Sequence, residues 1–180
     1  MNLYVMRHGT TVWNERGIMQ GRSNNRLSKR GVELTKDIAE KFKDVQFDII
    51  IASPLMRTIQ TANIMNKYHN VRVFKDDDLL EIDQGIFTGR FKNSLSKQEL
   101  EIISLRLKNA GIESYEECYN RAKHFVDNIK KKYNKENVLV VTHNCCASFI
   151  EDVITGEKVD FNNSNFVRKF KNTEVKKFVI

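Results

Sequence analysis

Three short and almost wholly apolar runs constrain the fold of this chain more than any other feature. They cover residues 3–6, 47–52 and 138–142. Runs of this kind are typical of strands buried on both faces of a parallel sheet. Helical patterns separate them, and this alternation predicts an α/β fold, a three-layer α/β/α sandwich with a mostly parallel central sheet. A further short strand is expected at 71–74 and a terminal edge strand at 174–180.

Capping residues mark the ends of the predicted helices. The helices are expected at 28–42, from Ser53 and Pro54 onward, at 94–110, from 114 to about 133, and at 144–154. The capping signals are Ser28, Ser53 followed by Pro54, Ser114 with Glu117, and the closing glycines Gly111 and Gly156. Residues 10–26 are polar and glycine-containing, and they are predicted to form a functional loop.

The composition indicates one domain over residues 1–180. The chain has 41% hydrophobic residues, a single proline and no Gly/Ser-rich linker. No apolar run approaches the roughly 18 residues of a membrane span, and the N-terminus lacks the regions of a signal peptide. We therefore expect a cytoplasmic protein that does not associate with membranes.

The net charge of +7 is compatible with nucleic acid or with small anionic substrates as partners. The basic residues are spread along the chain without interleaved aromatic residues, so we interpret most of them as solvated surface and expect no nucleic-acid partner. The three cysteines, Cys118, Cys145 and Cys146, lack the spacing of a disulfide framework or a zinc site. They are interpreted as reduced thiols that pack as small apolar side chains.

Polar residues follow three of the predicted strands. Arg7 and His8 follow the first strand, residues 53–57 the second, and His143 the strand at 138–142. Because functional groups gather at the carboxyl edge of a parallel sheet, two histidines and two arginines, including Arg57, are expected to converge there. Guanidinium groups around one spot favour an anion between them, and the set suits a phosphoryl group without a metal ion or cofactor. His8 could serve as a nucleophile or as a proton carrier.

A phosphoryl transfer also needs an acid for the leaving group. Glu81 follows two leucines and precedes a glycine-containing loop, and partial burial favours the protonated form of a carboxyl group. Asp83 lies two residues further on. The pattern alone does not choose between the two carboxyl groups.

Several ordered blocks resemble the histidine phosphatase superfamily, which includes cofactor-dependent phosphoglycerate mutases and small broad-specificity phosphatases. The blocks are Arg7-His8-Gly9-Thr10, Gln20-Gly21 with Leu27-Ser28, residues 53–62 (Ser-Pro-Leu-Met-Arg-Thr-Ile-Gln-Thr-Ala), residues 80–85 (Leu-Glu-Ile-Asp-Gln-Gly), residues 111–121, and Val140-Val141-Thr142-His143. The similarity covers nearly the whole chain, and it implies a phosphoglycerate mutase-like fold.

The resemblance also implies a role for each matching residue. His8 would attack phosphorus and become phosphohistidine, while Arg7, Arg57 and His143 would hold the transferring group. The acid position of the family motif is occupied by Glu81 rather than Asp83. The substrate-binding residues that the resemblance implies, in addition to these arginines, are Asn14, Gln20 and Gly21.

The chain departs from the family pattern in two places. Asn144 and Cys145 follow the second histidine where glycine is common, and the Asn144 amide could touch the substrate. Arg22 and Arg26 lie in the 20–27 loop. Either arginine could bind a second anionic group on the substrate, or it could be a surface side chain without a function. Cys145 beside the site could confer sensitivity to oxidation, although packing is the favoured interpretation.

These observations predict a metal-independent phosphomonoesterase that acts through phosphohistidine on a small phosphorylated metabolite. Mutases of the family usually have a longer chain, and here only residues 94–133 are available as a helical lid, which favours hydrolysis. A 2,3-bisphosphoglycerate-dependent mutase, a protein phosphohistidine phosphatase and a non-catalytic phosphate-binding module remain as alternatives. The physiological substrate and the choice between monomer and dimer stay open.

Overall fold

The computed structural model describes residues 1–106, 110–161 and 170–180. The strands in this part are β1 (Asn2–Arg7), β2 (Ile49–Ala52), β3 (Val73–Lys75), β4 (Asn137–Thr142) and β5 (Val175–Val179). They form one sheet in the order β3-β2-β4-β1-β5. Strands β1 to β4 run parallel, whereas β5 pairs antiparallel with β1 at the sheet edge. The mostly parallel sheet and the terminal edge strand are both confirmed.

The described helices are α1 (Val12–Glu15), α2 (Lys29–Lys41), α3 (Met56–Met65), α4 (Lys97–Ser104), α5 (Tyr115–Lys132) and α6 (Asn144–Thr155). Alternate residues of β1 point to opposite faces of the sheet, as the period of a strand requires. Leu3 and Val5 join a core with α5 and α6, while Tyr4 and Met6 join a second core with α2 and α3. The chain is therefore a three-layer α/β/α sandwich, as predicted.

Most of the predicted caps are present. The side chain of Ser28 accepts a hydrogen bond from the amide of Gly31 at the start of α2. Ser114 and Glu117 form the predicted capping box of α5. Gly156 closes α6 with a φ of 72°, a left-handed conformation in which glycine carries no steric penalty.

The predicted start of α3 at Ser53 and Pro54 is wrong. The helix begins at Met56, and its N-cap residue Leu55 makes no side-chain capping bond. The hydroxyl of Ser53 lies instead 2.8 Å from Nε2 of His143, which is distant in sequence. The side chain of Ser53 therefore contacts a residue distant in sequence and does not cap the helix.

The predicted helix over 94–110 is shorter than expected. Helix α4 ends at Ser104, Arg106 adopts a φ of 51°, and residues 107–109 lie outside the described part. Helix α5, the second half of the predicted lid, buries Phe125 and its apolar neighbours against the sheet. Only Tyr115 of this helix reaches the candidate site, so most of α5 belongs to the sandwich.

Two further expectations concern the packing of the cysteines and the presence of a membrane span. Cys118, Cys145 and Cys146 are free and buried, as the packing interpretation predicts. Among the described residues, no helix combines the length and the hydrophobicity needed to cross a membrane.

Candidate active site

The carboxyl ends of β1, β2 and β4 meet at one edge of the sheet. The amide of His8 donates to the carbonyl of Thr142 over 3.0 Å, and the amide of Ser53 donates to the carbonyl of Val141 over 3.0 Å. These bonds continue the ladder past the ends of the strands and hold the three following segments side by side. The convergence predicted from the order of strands is present.

A cavity of about 280 Å³ opens at this edge. Predicted site residues that line it are Arg7, His8, Asn14, Gln20, Gly21, Arg57, Glu81 and Asn144. The predicted residues Arg22 and His143 are not among its lining groups. The volume lies at the lower end of the range for ligand pockets, so the cavity suits a small ligand.

His8 is buried with one ring nitrogen committed to the backbone. Its Nδ1 lies 2.7 Å from the carbonyl oxygen of Gly9, an arrangement that places the proton on Nδ1 and the lone pair on Nε2. Burial lowers the pKa of His8 well below its ordinary value, and the charges of Arg57 and Arg7 lower it further. The imidazole is therefore neutral near pH 7, with a nucleophilic nitrogen.

Gly9 is required by close packing. A Cβ atom at this position would lie 2.4 Å from the hydroxyl oxygen of Thr35 and 3.2 Å from the carbonyl oxygen of Gly31. The amide of Gly9 also donates to the hydroxyl of Thr61 over 2.9 Å. The absence of a side chain lets α2 and α3 press directly against the segment that carries His8.

Arg57 is a buried cation surrounded by neutral acceptors. Its two Nη groups donate to the carbonyls of Ser23 and Gly21 over 2.6 and 2.8 Å. Burial lowers the pKa of Arg57 to about 10, with Glu81 opposing the shift and Arg7 adding to it. The guanidinium remains charged at neutral pH, and an anion in the cavity would compensate it.

Arg7 supplies a second cation with an unused donor. Its Nη1 donates to the carbonyl of Phe170, whereas its Nε is buried and has no hydrogen-bond partner within the described ranges. A buried donor left without a partner costs about 1–3 kcal/mol. A bound anion could provide the missing acceptor.

His143 contacts the site through Arg57 rather than through the cavity. Its Nδ1 accepts from Nε of Arg57 over 3.2 Å, and its Nε2 lies 2.8 Å from the hydroxyl of Ser53. Burial, followed by the charge of Arg57, lowers the pKa of His143 well below its ordinary value. Protein groups lie beside both nitrogens and His143 does not line the cavity, so direct contact between His143 and the phosphoryl group stays a prediction.

Glu81 lies at the N-terminal end of α6. Its Oε1 accepts from the amides of Ile82 and Cys145 over 3.1 and 3.2 Å, so the carboxyl group caps that helix. The carboxylate of Asp83 instead accepts from the amide of Gly85 over 2.9 Å, and Asp83 does not line the cavity. Of the two candidate acids, only Glu81 faces the site.

The amides of Asn14 and Asn144 present donors to the cavity. Oδ1 of Asn14 accepts from the amide of Thr11 over 3.1 Å, and Oδ1 of Asn144 accepts from the amide of Phe170 over 2.8 Å. Because the oxygen of each side-chain amide already accepts a hydrogen bond, its NH₂ group is the end without a partner in the part of the chain that the structure describes. Both asparagines can therefore donate to an anion.

The two loop arginines, for which substrate binding and a surface role both stayed open, contact protein groups. Arg22 donates to the carbonyl of Glu81 over 3.1 Å and forms an ion pair with Glu113 at 3.0 Å. Nε of Arg26 lies 3.0 Å from the sulfur of Met56 on the exposed surface. Neither side chain lines the cavity, so neither is placed to bind the substrate.

Sequence reasoning missed the wall formed by Gln84, Lys92, Arg106 and Tyr115. Arg106 is 6% exposed and lies 5.1 Å from the ring centre of Tyr115. No motif marks this arginine, which stands inside a stretch with a helical pattern. Its left-handed backbone ends the helix early and turns the side chain toward the cavity. No local sequence pattern indicates this conformation.

Comparisons with known proteins agree with this architecture. A family model described as histidine phosphatase superfamily (branch 1) matches residues 3–178. Phosphoserine phosphatase 1 of Hydrogenobacter thermophilus is 31% identical over 149 residues, which cover 79% of this chain and 71% of that protein. Uncharacterized phosphatase PhoE of Bacillus subtilis is 28% identical over 163 residues, 91% of this chain and 82% of that protein.

A solved structure shows the likeness of fold. Bacillus stearothermophilus YhfR has a TM-score of 0.86 and 22% sequence identity, and the match covers 98% of this chain and 89% of that one. The match in fold therefore extends over nearly the whole of the sandwich described above.

Proposed function

This chain belongs to branch 1 of the histidine phosphatase superfamily, and from that membership and the geometry of its cavity we propose that it is a metal-independent phosphomonoesterase acting through phosphohistidine. The observation that carries the proposal is the state of His8. Its Nδ1 is committed to the carbonyl of Gly9, and its low pKa keeps Nε2 unprotonated. A nucleophile is ready without a separate base.

In the proposed substrate complex, the phosphoryl group lies between Arg7 and Arg57. The unpartnered Nε of Arg7 and the guanidinium of Arg57 supply positive charge, and the free amides of Asn14 and Asn144 supply neutral donors. Such preorganised donors stabilise the charge on the phosphoryl oxygens in the transition state. They take the part that a metal ion plays in other phosphoryl-transfer enzymes. His143 contributes by holding Arg57 in place.

In the first chemical step, Nε2 of His8 forms a bond to phosphorus while the bond from phosphorus to the substrate oxygen breaks. The protonated carboxyl group of Glu81 gives its proton to the departing alkoxide, and the alcohol leaves. In the second step, Glu81 accepts a proton from water as the water oxygen attacks the phosphohistidine. Inorganic phosphate then leaves, and His8 and Glu81 return to their starting states.

We infer a small phosphorylated metabolite as the substrate class, and a cavity of about 280 Å³ suits such a ligand. The name of the Hydrogenobacter thermophilus relative, phosphoserine phosphatase 1, supports hydrolysis and makes phosphoserine a compound to test. A mutase would have to retain phosphate on His8 and return it to a bound product.

The test is hydrolysis of p-nitrophenyl phosphate in EDTA by the wild type, His8→Ala and the matched control His124→Ala. His124 is an exposed histidine on α5, away from the cavity. We expect turnover by the wild type and the control, and loss of turnover in His8→Ala. Full activity of His8→Ala would overturn the mechanism. Isomerisation of 3-phosphoglycerate with 2,3-bisphosphoglycerate, in place of hydrolysis, would make the protein a mutase.

A further inference from the structure

Residues 170–174, which precede β5, lie against the segment that carries Arg7 and His8. The amide of Arg7 donates to the carbonyl of Glu174 over 3.1 Å, and the amide of Thr173 donates to the carbonyl of Arg7 over 3.1 Å. These two bonds extend the antiparallel pairing of β1 and β5 to the carboxyl end of β1. The turn before β5 therefore contacts the backbone beside the proposed nucleophile.

The side chain of Asn172 in this turn bonds to two successive backbone carbonyls. Its Nδ2 donates to the carbonyl of His8 over 3.0 Å and to the carbonyl of Gly9 over 3.4 Å. The Gly9 carbonyl oxygen also lies 2.7 Å from Nδ1 of His8. A carbonyl oxygen has two lone pairs, so it can accept from both side chains at once. Asn172 thus contacts the acceptor that decides which ring nitrogen of His8 carries the proton.

Gly9 needs such a restraint because it has no side chain. A glycine has access to more backbone angles than other residues, so steric contacts of its own do not fix the direction of its carbonyl. The amide of Gly9 is held by the hydroxyl of Thr61 over 2.9 Å, and Asn172 holds the carbonyl side. If the carbonyl turned away, Nδ1 of His8 would lose its acceptor. The proton could then lie on Nε2, which would remove the nucleophilic lone pair.

The backbone of Thr173 is a second, independent observation on the same turn. Thr173 is β-branched and has a φ of 65°, in the left-handed region that such residues avoid. Backbone strain of this kind persists only where surrounding contacts fix the chain, and it clusters at functional sites. Here the amide of Thr173 lies 3.1 Å from the carbonyl of Arg7 and 3.4 Å from the carbonyl of His8. The strained residue therefore fixes its neighbour Asn172 beside the backbone of His8.

We propose that Asn172 is a positioning residue for the nucleophile. It fixes the Gly9 carbonyl, so that His8 keeps its proton on Nδ1 and presents Nε2 to phosphorus. This inference rests on the proposed function for the role of Nε2. Asn172 does not line the cavity, so it acts through His8 and not on the substrate.

The variants are Asn172→Ala, which removes both hydrogen bonds, and Asn172→Asp, which keeps the shape of the side chain but turns a carboxylate toward two carbonyl oxygens. Asn63→Ala and Asn63→Asp are the matched controls, because Asn63 is exposed on α3 and does not line the cavity. If Asn172→Ala does not fold, Asn172→Asp decides. Every variant keeps the charged and titratable groups around His8, which are Arg7, Arg57, Glu81 and His143, and those of the turn, Lys171 and Glu174.

Two measurements are made on each protein. Steady-state kinetics on p-nitrophenyl phosphate give kcat, KM and the pH dependence of kcat/KM. Two-bond ¹H–¹⁵N correlation spectra of protein labelled with ¹⁵N-histidine show which ring nitrogen of His8 is protonated, and this readout does not depend on activity. The spectrum of His8→Ala identifies the signals of His8.

We expect the wild type and both controls to show His8 with its proton on Nδ1. Asn172→Ala should populate both tautomers and lower kcat by about tenfold, with KM changed by less than about twofold. Asn172→Asp should lower kcat at least as far. Its negative charge should also raise the pKa of His8 and move the acid limb of kcat/KM to higher pH by about one unit.

Unchanged His8 signals in the Asn172 variants would overturn the inference even if kcat fell, because a loss of stability alone does not alter the tautomer of the folded molecules. Unchanged kcat in both variants would overturn it as well. A wild type that does not hydrolyse p-nitrophenyl phosphate, together with an altered His8 tautomer in the variants, would overturn the proposed function but not the control of His8 by Asn172.

Discussion

The Nε–H group of Arg57 donates to Nδ1 of His143 over 3.2 Å, so a neutral histidine holds a buried arginine at the site. The opposite nitrogen, Nε2, lies 2.8 Å from the hydroxyl of Ser53. If Nδ1 of His143 were protonated, its N–H would face the Nε–H of Arg57 and the hydrogen bond would be lost. Burial lowers the pKa of His143, so Nδ1 stays unprotonated. Hydrogen bonds therefore connect Ser53, His143 and Arg57 in series, and this series orients the guanidinium of Arg57 toward the cavity.

Ser53→Ala should weaken catalysis without removing any group that touches the substrate. The buried Nε2–H of His143 would lose its acceptor, a change that costs about 1–3 kcal/mol of unfolding free energy. We expect kcat/KM to fall by about tenfold as Arg57 becomes less well held. Urea denaturation and steady-state kinetics measure the two effects, and Ser53→Thr should restore most of the activity. Equal values for Ser53→Ala and the wild type would contradict the positioning role.

The acid limb of the pH–rate profile should depend on Arg57. In the proposed mechanism His8 must be neutral to attack. Burial and then Arg57 lower its pKa, so activity should persist below pH 6.5, the ordinary value for histidine. Arg57→Gln removes a positive charge, which lets the pKa of His8 rise and moves the acid limb of kcat/KM to higher pH. Arg30→Gln, an exposed arginine of α2, is the control with the same substrate. An acid limb at the same pH in Arg57→Gln and the wild type would argue against His8 as the titrating group.

Glu113→Gln should loosen the loop that carries Glu81. The carboxylate of Glu113 pairs with Arg121 and Arg22, and these arginines donate to the carbonyls of Leu80 and Glu81. Breaking a fully buried pair costs about 3–5 kcal/mol, and partial exposure of Arg22 and Arg121 lowers our expectation to about 2 kcal/mol.

The same substitution should lower kcat more than it raises KM, because in the proposed mechanism Glu81 acts on the leaving group and not in binding. Chemical denaturation and kinetics on p-nitrophenyl phosphate provide both values. Glu116→Gln, which replaces an exposed residue in the first turn of α5, should change neither. A Glu113→Gln variant with unaltered kcat would show that the loop does not need this carboxylate.

The cysteines should resist alkylation in the folded protein. Cys118 and Cys146 are fully buried, and burial raises the pKa of both thiols, which disfavours the reactive thiolate. Cys145 lines the cavity but is only 5% exposed. We expect iodoacetamide at pH 7.5 to leave activity intact for hours and to modify all three thiols once urea is added, as mass spectrometry would show. Rapid labelling of Cys145 with loss of activity would favour the oxidation-sensitive interpretation instead.

Local patterns predicted most of the fold because the forces behind them act over a few residues. Caps such as Ser28 and Ser114 satisfy amides three positions away, and apolar runs report burial directly. The order of strands then brought His8 and Arg57 to one edge. The start of α3 at Ser53 was wrong because its hydroxyl is used by His143, 90 residues away.

The candidate site was predictable in its main residues and not in its walls. Glu81 and Asp83 have similar local surroundings in the sequence, and only the family resemblance chose the one that faces the cavity. The partner of Arg22 stayed open and Arg106 was missed for the same reason, since a long side chain can reach many partners. Arg22 lies against Glu113, while Arg106 turns inward from a left-handed residue at the end of α4.

The sequence by itself determined the layered α/β architecture, the family and the group formed by Arg7, His8, Arg57 and Glu81, because strand burial, helix caps and short motifs are local. Only the tertiary structure decided which nitrogen of His8 is free, that His143 serves Arg57, and that Arg106 rather than Arg22 lines the cavity. Those outcomes depend on hydrogen-bond partners and charges that come together through packing between distant segments, and no short stretch of sequence contains them.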